Sequence, residues 1–404
     1  MIPTSPRARL ALATFLCLVP VTLLVPGLHE LVVVAHGGTE GDAHAFMTVN
    51  MLAGMLTVPL VMRALRRHPG AIRRWAVGAL LVDAAAFVGM AFAPGLAALY
   101  AFRVVDGAVH LPAITLLMVA SNRSTGEGRG RSLGALATAI MIGVAIGSPL
   151  GGRLVEVGVR TTYLTGAVLL VLAAVVVRLT TMPAASMATG SRYAWRRSAL
   201  ATWIPLAYGF LDRFSIGIYV STFTLYLTNV MGLSAPQRGA LVALFMVPFA
   251  LLCYPAGRLA DRVGWFAPLL TGNVLFGITF GAYGLVSAAW LPYLMLASGI
   301  FSALMFAPNL VLISELASRG HGEGLFGAFQ VAGSLGFLTG PIVGGLLVTF
   351  TRGADGVPAY QAIFLAVGTL AAVLSLVSWV VLRRLSRALA GEARPARPVS
   401  LPTH

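Results

Sequence analysis

Arg103 and Asp106 stand three residues apart in the apolar stretch LYAFRVVDGAV, and His110 follows one helical turn later. Positions i and i+3 share a helix face, so the guanidinium and the carboxylate can pair there. Ionisable side chains in long apolar stretches are expensive, and by default they mark a path for protons, ions or substrate. Glu30 (beside His29), Asp83, Asp212 and Arg213 occupy similar surroundings. A carboxylate in such a place must find a partner or carry a proton. Arg103, Asp106, Glu30, Asp212 and Asp83 therefore read as candidate proton-handling groups, with a purely structural salt bridge as the alternative for Arg103 and Asp106. His110, Tyr208, Arg213, Tyr219, Phe223 and Asn309 are candidates for a substrate cavity, supported by Phe214 and Phe306. Aromatic and apolar groups with few polar ones suit an amphipathic ligand. Ordinary packing, or a satisfied polar residue in the case of His110, is the competing reading.

Other chemistries are excluded. The chain has no lysine, so no GxxxxGK[ST] phosphate loop exists, and no HExxH pair occurs. His36, Glu40, Asp42 and His44 crowd one polar connection, where a solvated loop is expected over a metal site. No enzyme activity, cofactor or metal is expected.

The elements that must position these groups follow from composition. Of 404 residues 58% are hydrophobic and 10% charged, with mean hydropathy +0.88. The apolar residues form runs of about 20, the length that crosses a bilayer as a helix, and they do not alternate as barrel strands do. Twelve spans are expected, at about 10–34, 44–64, 75–94, 97–119, 132–154, 161–181, 201–228, 237–256, 266–287, 290–312, 326–350 and 359–382. The expected domains are a six-helix half (1–181), a cytoplasmic linker (182–200), a second six-helix half (201–383) and a disordered cytoplasmic tail (384–404). The net charge of +15 is all arginine in excess. The arginines gather in alternate connections, which places both termini in the cytoplasm and leaves Arg153, Arg160, Arg238 and Arg352 at the outer face. Topology and attraction to anionic lipid explain this charge, and no nucleic-acid partner is implied. Cys17 and Cys253 lie in apolar runs of different halves and read as core thiols. The first run starts near Leu10 without a small-residue cleavage site and reads as an uncleaved span.

One pattern occurs twice. Gly134, Gly143, Gly147, Gly151 and Gly152 return 193 positions later as Gly327, Gly336, Gly340, Gly344 and Gly345. Matched glycines at one offset indicate two homologous halves. Their spacing of four places Gly143, Gly147 and Gly151, and likewise Gly336, Gly340 and Gly344, on one face where helix backbones can approach closely.

Several motifs resemble those of the major facilitator superfamily. GRLADRVGWF (257–266) is similar to its signature loop, through Gly257, Leu259, Asp261, Arg262 and Gly264. The resemblance implies a cytoplasmic gate in which Asp261 exchanges partners, with Glu315 and Arg319 at hand. In the first half the corresponding positions hold Arg63, Leu65, Arg67 and Gly70, so the aspartate is replaced. Leu99, Arg103 and Gly107 match the arginine motif of the fourth helix, implicated in proton coupling in the family. The glycine pattern resembles the antiporter motif of the fifth helix, with the proline moved to Pro149, while the second copy keeps it at Pro341.

The resemblance implies an all-α polytopic membrane protein, twelve transmembrane helices in two pseudo-symmetric six-helix bundles, close to the drug:proton antiporters. Spans 1, 4, 7 and 10 would line a central cavity faced by Glu30, Asp106 and Asp212. The glycine ladder would form the contact on which the halves rock. The expected function is proton-coupled export of a small amphipathic compound by a monomer in the cell membrane, its partners being substrate, protons and lipid. An importer or facilitator of a polar metabolite, or a non-transporting sensor or assembly protein, is the alternative.

Overall fold

The structure is a computed structural model that describes residues 5–123, 129–181, 200–316, 324–350 and 357–392. Among these residues there is no strand. The helices are α1 Pro6–Leu23, α2 Glu40–Arg67, α3 Ile72–Ala91, α4 Leu96–Arg123, α5 Arg129–Val157, α6 Val159–Arg178, α7 Leu200–Ile218, α8 Thr224–Asn229, α9 Ala235–Val263, α10 Phe266–Gly281, α11 Leu291–Leu316, α12 Gly324–Phe350 and α13 Val357–Glu392. Ten helical stretches among the described residues are long and apolar enough to cross a membrane. With α5, and with α7 and α8 taken as one span, the arrangement is six plus six. Helices suit this role because each satisfies its own backbone hydrogen bonds without water.

Polar signals fix where several helices start. Ser5 caps α1 by accepting from the Ala8 amide at 3.2 Å. Thr39 and Asp42 form a reciprocal capping box on α2, as Ser234 and Gln237 do on α9. The first span is broken after Leu23, around Pro26 and Gly27, and resumes as a π-helical turn at His29–Val34. A second π-helical turn, Tyr219–Phe223, joins α7 to α8. Such wide turns recur at functional positions, and the first of them carries Glu30.

Among the described residues, six ladder glycines pack within their own half, and only the last of each copy, Gly152 and Gly345, meets the other half, which corrects the expectation that the whole ladder forms the contact between halves. Gly143, Gly147 and Gly151 face the backbone of α1 at Phe15, Val19 and Leu23. Gly336, Gly340 and Gly344 face α7 and its continuation at Phe210, Phe214, Gly217 and Thr222. The Thr22 hydroxyl donates to the Val144 carbonyl at 2.8 Å and completes the first seam. The contact between halves uses the neighbouring positions. Gly152 meets Ala235 and Pro236, Gly239 meets Ser148 and Pro149, and Gly345 meets His44. Helices α5 and α9 pack together, as do α2 and α12. Gly134 and Gly327 lie outside the side chains described.

Among the described residues, the hydrogen bonds that join the halves cluster at the arginine-poor end of the bundle. Asn229 donates to Glu40 at 2.7 Å, Tyr360 donates to the other Glu40 oxygen at 3.1 Å, and His44 Nε2 lies 3.1 Å from the Thr222 hydroxyl. Towards the arginine-rich end of the same helices, Leu56, Leu60, Leu251 and Tyr254 are exposed. The bundle is thus closed at one end. Helix α13 runs on to Glu392 with Leu389 buried, so the first residues of the expected disordered tail are ordered helix. The linker at 182–199 lies outside the described residues.

Candidate functional site

Two clusters of charge stand out among the described residues, one fully buried and one with a buried arginine and a partly exposed glutamate. The first joins α2, α3 and α4. Arg103 donates to Asp106 on the same helix, as its i, i+3 spacing predicts. Asn50 of α2 donates to the same Asp106 oxygen at 2.8 Å. Gly107 makes this possible, because a side chain there would collide with the Asn50 backbone. The Arg103 guanidinium is held on its other sides by the Phe46 carbonyl at 3.3 Å, the Met47 sulfur at 3.8 Å and the Phe46 ring at 4.4 Å. Asp83 of α3 meets Nδ1 of His110 at 2.5 Å. One ligand atom from each of Asp83, Asp106 and His110 lies within 4.8 Å of the others. All four ionisable residues of the cluster are buried.

Asp83, which has no companion on its own helix, is thus placed by tertiary packing. It sits against α4 and not at a cavity wall. His110 and Asp106 are likewise sealed inside the half and do not line an open cavity, which corrects the expectation for both.

The second cluster lies between the halves at the arginine-poor end. The Arg238 guanidinium, 1% exposed, holds Glu30 through one nitrogen at 2.5 and 2.6 Å. Its other nitrogens donate to the Pro26 carbonyl at 2.7 Å and the Leu233 carbonyl at 2.9 Å. Glu30 therefore belongs to a closed seam and not to the cavity. The sequence analysis put Arg238 at the outer face and gave it no role; the structure keeps it at the arginine-poor end and turns it inward.

In the second half, Asp212 Oδ2 lies 3.6 Å from Arg213 Nε and has no hydrogen bond. The Arg213 side chain is 32% exposed, and its guanidinium stacks over Phe306 at 5.1 Å. Asn309 donates to the Pro205 carbonyl at 3.2 Å, leaving its own carbonyl oxygen unpartnered. Three expected cavity residues turn out to be internal packing. Tyr208 shares a 2.6 Å hydrogen bond with Ser378 of α13. Tyr219 and Phe223 stack on each other at 5.0 Å within an aromatic group that includes Phe245, Tyr283 and Phe364. Tyr208→Phe is therefore expected to lower stability by about 1 kcal/mol, the worth of one hydrogen bond, and to leave transport unchanged. Thermal melting and uptake on one preparation check this, and a raised KM at unchanged stability would return Tyr208 to the cavity.

At the expected gate loop, Gly264 adopts φ +85°, a left-handed conformation that glycine accepts without strain and that ends α9. Gly257 faces open space, and Asp261 and Arg262 are exposed. Glu315 accepts from the indole of Trp265 at 2.8 Å, a partner that the charge pattern did not suggest. Arg319 lies outside the described residues. The polar residues of the first connection serve the closed end: His36 bonds the Leu31 carbonyl at 2.8 Å, Asp42 caps α2 and accepts from Tyr100 at 3.1 Å, and Glu40 and His44 bridge the halves.

Comparison with known proteins accords with this geometry. The sequence pattern described as "Major Facilitator Superfamily" matches residues 10–208 and again 205–403. A "Multi-drug resistance efflux pump PmrA homolog" from Lactococcus lactis is 24% identical over 336 residues, covering 78% of this chain and 81% of its own. The Staphylococcus aureus "Quinolone resistance protein NorA" is 27% identical over 169 residues, 42% of each chain. Among solved structures, a point mutant of the nucleoside transporter NupG superposes with TM-score 0.75 at 13% identity, covering 96% of this chain and 100% of its own. A bacterial homologue of the human lysosomal transporter Spinster, inward-facing and unoccupied, does so with TM-score 0.72 at 13% identity, covering 98% and 99%. These two likenesses establish the fold.

Proposed function

The chain belongs to the major facilitator superfamily of membrane transporters, and from that premise we propose that it exports a small amphipathic compound in exchange for protons. The curated relatives named for drug efflux support export. The observation that carries proton coupling is the sealed cluster of Asp83, Arg103, Asp106 and His110 within the first half. Ionisable groups buried at this depth are costly, and by default they mark a functional site.

In this reading the arginine-rich end faces the cytoplasm, and the closed seam of Glu30 and Arg238 seals the outer side. Substrate enters between the halves from the cytoplasm. Its apolar ring would meet Phe306, and its polar group the partly exposed Arg213 with Asp212. Rocking of the halves then opens the outer end, as in transporters built from parallel repeats. Protonation of the cluster changes its charge, and a charge difference of this kind biases the two states only through its different surroundings in each.

Asp106→Asn is expected to abolish gradient-driven transport while the protein still inserts, because the amide keeps the shape but leaves Arg103 without its counter-charge. Everted vesicles given an amphipathic dye, with and without a protonophore, provide the measurement. Undiminished gradient-driven accumulation by the variant defeats the proposal. Wild-type transport indifferent to the protonophore favours a facilitator.

A further inference from the structure

Resting on the reading of proton-coupled export, we propose that the transported proton is carried by the Asp83–His110 pair, while Arg103 and Asp106 are a fixed ion pair that sets the charge of the site. The two pairs differ in how completely they are satisfied. Asp106 accepts from Arg103 and Asn50 through one oxygen, and Arg103 is held by the Phe46 carbonyl, the Met47 sulfur and the Phe46 ring. Asp106 is thus held by two donors at once, one of them a charged guanidinium. Asp83 has no guanidinium. Its Oδ2 meets His110 Nδ1 at 2.5 Å, and its Oδ1 has no hydrogen-bond partner. Nε2 of His110 is likewise without a partner. Both residues are buried, Asp83 completely. Two lone pairs without donors, on a carboxylate and an imidazole already in contact, are the sites at which a proton can be added. Such orphaned groups in a native interior call for a functional explanation.

Charge counting leads to the same place. With neutral His110, the cluster carries one positive charge on Arg103 and two negative charges on Asp83 and Asp106. One proton makes it neutral, whether it sits on Asp83 or turns His110 into imidazolium. A second proton would leave a net positive charge in a dry interior, and so would a divalent cation at the same atoms. Isolated charge is costly there. The neutral, singly protonated cluster is therefore the form held in this closed arrangement, and the proton leaves only when the halves rearrange and the remaining negative charge meets different surroundings.

The groups that face it from other elements do not alter this count. Cys17 of α1 and Tyr163 of α6 lie near enough to interact electrostatically with the cluster, but both are neutral in their protonated forms. Asn50 is uncharged. The link to the closed seam runs along α2. Asn50 touches the cluster, and His44 and Glu40, further towards the start of the same helix, bond Thr222, Asn229 and Tyr360 of the other half.

The test uses purified full-length protein in lipid nanodiscs, with no substrate. Infrared difference spectroscopy between acidic and alkaline buffer reads the carbonyl stretch of protonated carboxyl groups, which exposure to deuterium shifts slowly when the group is buried. In a background carrying Asp212→Asn, which removes the other buried carboxylate, the parent is expected to show one buried carboxyl or imidazolium signal that titrates as a single proton. Asp83→Asn should remove it. Asp106→Asn should retain a titrating signal despite lost transport. His110→Gln should strip the imidazolium component and displace the titration, and Asp83→Glu should restore a titrating carboxyl. Each variant is compared by thermal melting, and Asp83→Glu with His110→Gln decides the matter if Asp83→Asn does not fold. A titration unchanged in Asp83→Asn and His110→Gln, or lost only in Asp106→Asn, overturns the proposal. Failure of the wider reading looks different: wild-type transport then ignores the protonophore, whatever the spectra show.

Discussion

Replacing Glu30 with alanine is expected to swing the protein open at its arginine-poor end. The reason lies in the partner left behind. Arg238 is almost fully buried and gives one nitrogen to both Glu30 oxygens, and others to the Pro26 and Leu233 carbonyls. Without the carboxylate, a guanidinium remains buried against two neutral acceptors. Removing one partner of a buried ion pair typically costs about 3–5 kcal/mol, mostly because the other charge is stranded. That cost applies only to the closed arrangement, because parting α9 from the first span lets water reach Arg238. The ratio of closed to open forms should therefore fall by about two to four orders of magnitude, at about 1.4 kcal/mol per tenfold. The measurement is the labelling rate of a cysteine placed at Thr222, which is fully buried and faces His44 across the seam, in a background lacking Cys17 and Cys253. A membrane-impermeant maleimide should react rapidly in Glu30→Ala and slowly in the parent. Glu30→Gln, which keeps an acceptor for Arg238, should fall between them. Equal rates in all three would mean that the seam is held by packing alone.

The same pair illustrates how far the sequence reaches. The twelve spans were legible because apolar runs long enough to cross a bilayer are a property of the chain itself. The helix starts were not: α1, α2 and α9 begin at Pro6, Glu40 and Ala235, ahead of the expected 10, 44 and 237, because capping at Ser5, Thr39 and Ser234 is local hydrogen-bond chemistry that an apolar run does not register. Arg103 with Asp106 is a contact within one helix, and the spacing alone predicts it. Arg238 was not placed, since the sorting of arginines by membrane side says at which end a residue lies and nothing about whether it points inward. Asp83 and His110 lie on different helices, so no spacing announces their contact. Tyr208, Tyr219 and Phe223 have side chains equally at home in a cavity or a core. Which of the two they occupy depends on Ser378, Tyr283 and Phe364, brought in by later helices.

The glycines show the same limit in a form that can be tested. A ladder declares that something approaches closely, but not what approaches. Gly340→Leu and Gly239→Leu are accordingly expected to fail in opposite ways. At Gly340 a side chain's first carbon would lie 2.7 Å from both the Gly217 α-carbon and the Phe214 carbonyl oxygen. Both are backbone atoms of α7, in the same half, and cannot swing aside. That contact persists in every arrangement of two halves that move as units, so the penalty falls on folding itself. Overpacking of this kind costs about 1–3 kcal/mol, and more where the obstacle is backbone. Gly340→Leu should yield little folded protein and a lowered Tm. At Gly239 the added carbon would lie 2.6 Å from the Ser148 carbonyl oxygen and 3.1 Å from the Pro149 α-carbon. Those atoms belong to the other half, and the clash vanishes when the closed end parts. Gly239→Leu should keep the parental Tm and label at the seam as rapidly as Glu30→Ala, with transport lost because one of the two required states is denied. Size-exclusion profile, melting curve and labelling rate on each variant separate the outcomes. A Gly340→Leu protein that folds normally yet cannot switch would mean that α12 slides along α7 during transport, and the ladder would then be a moving contact after all.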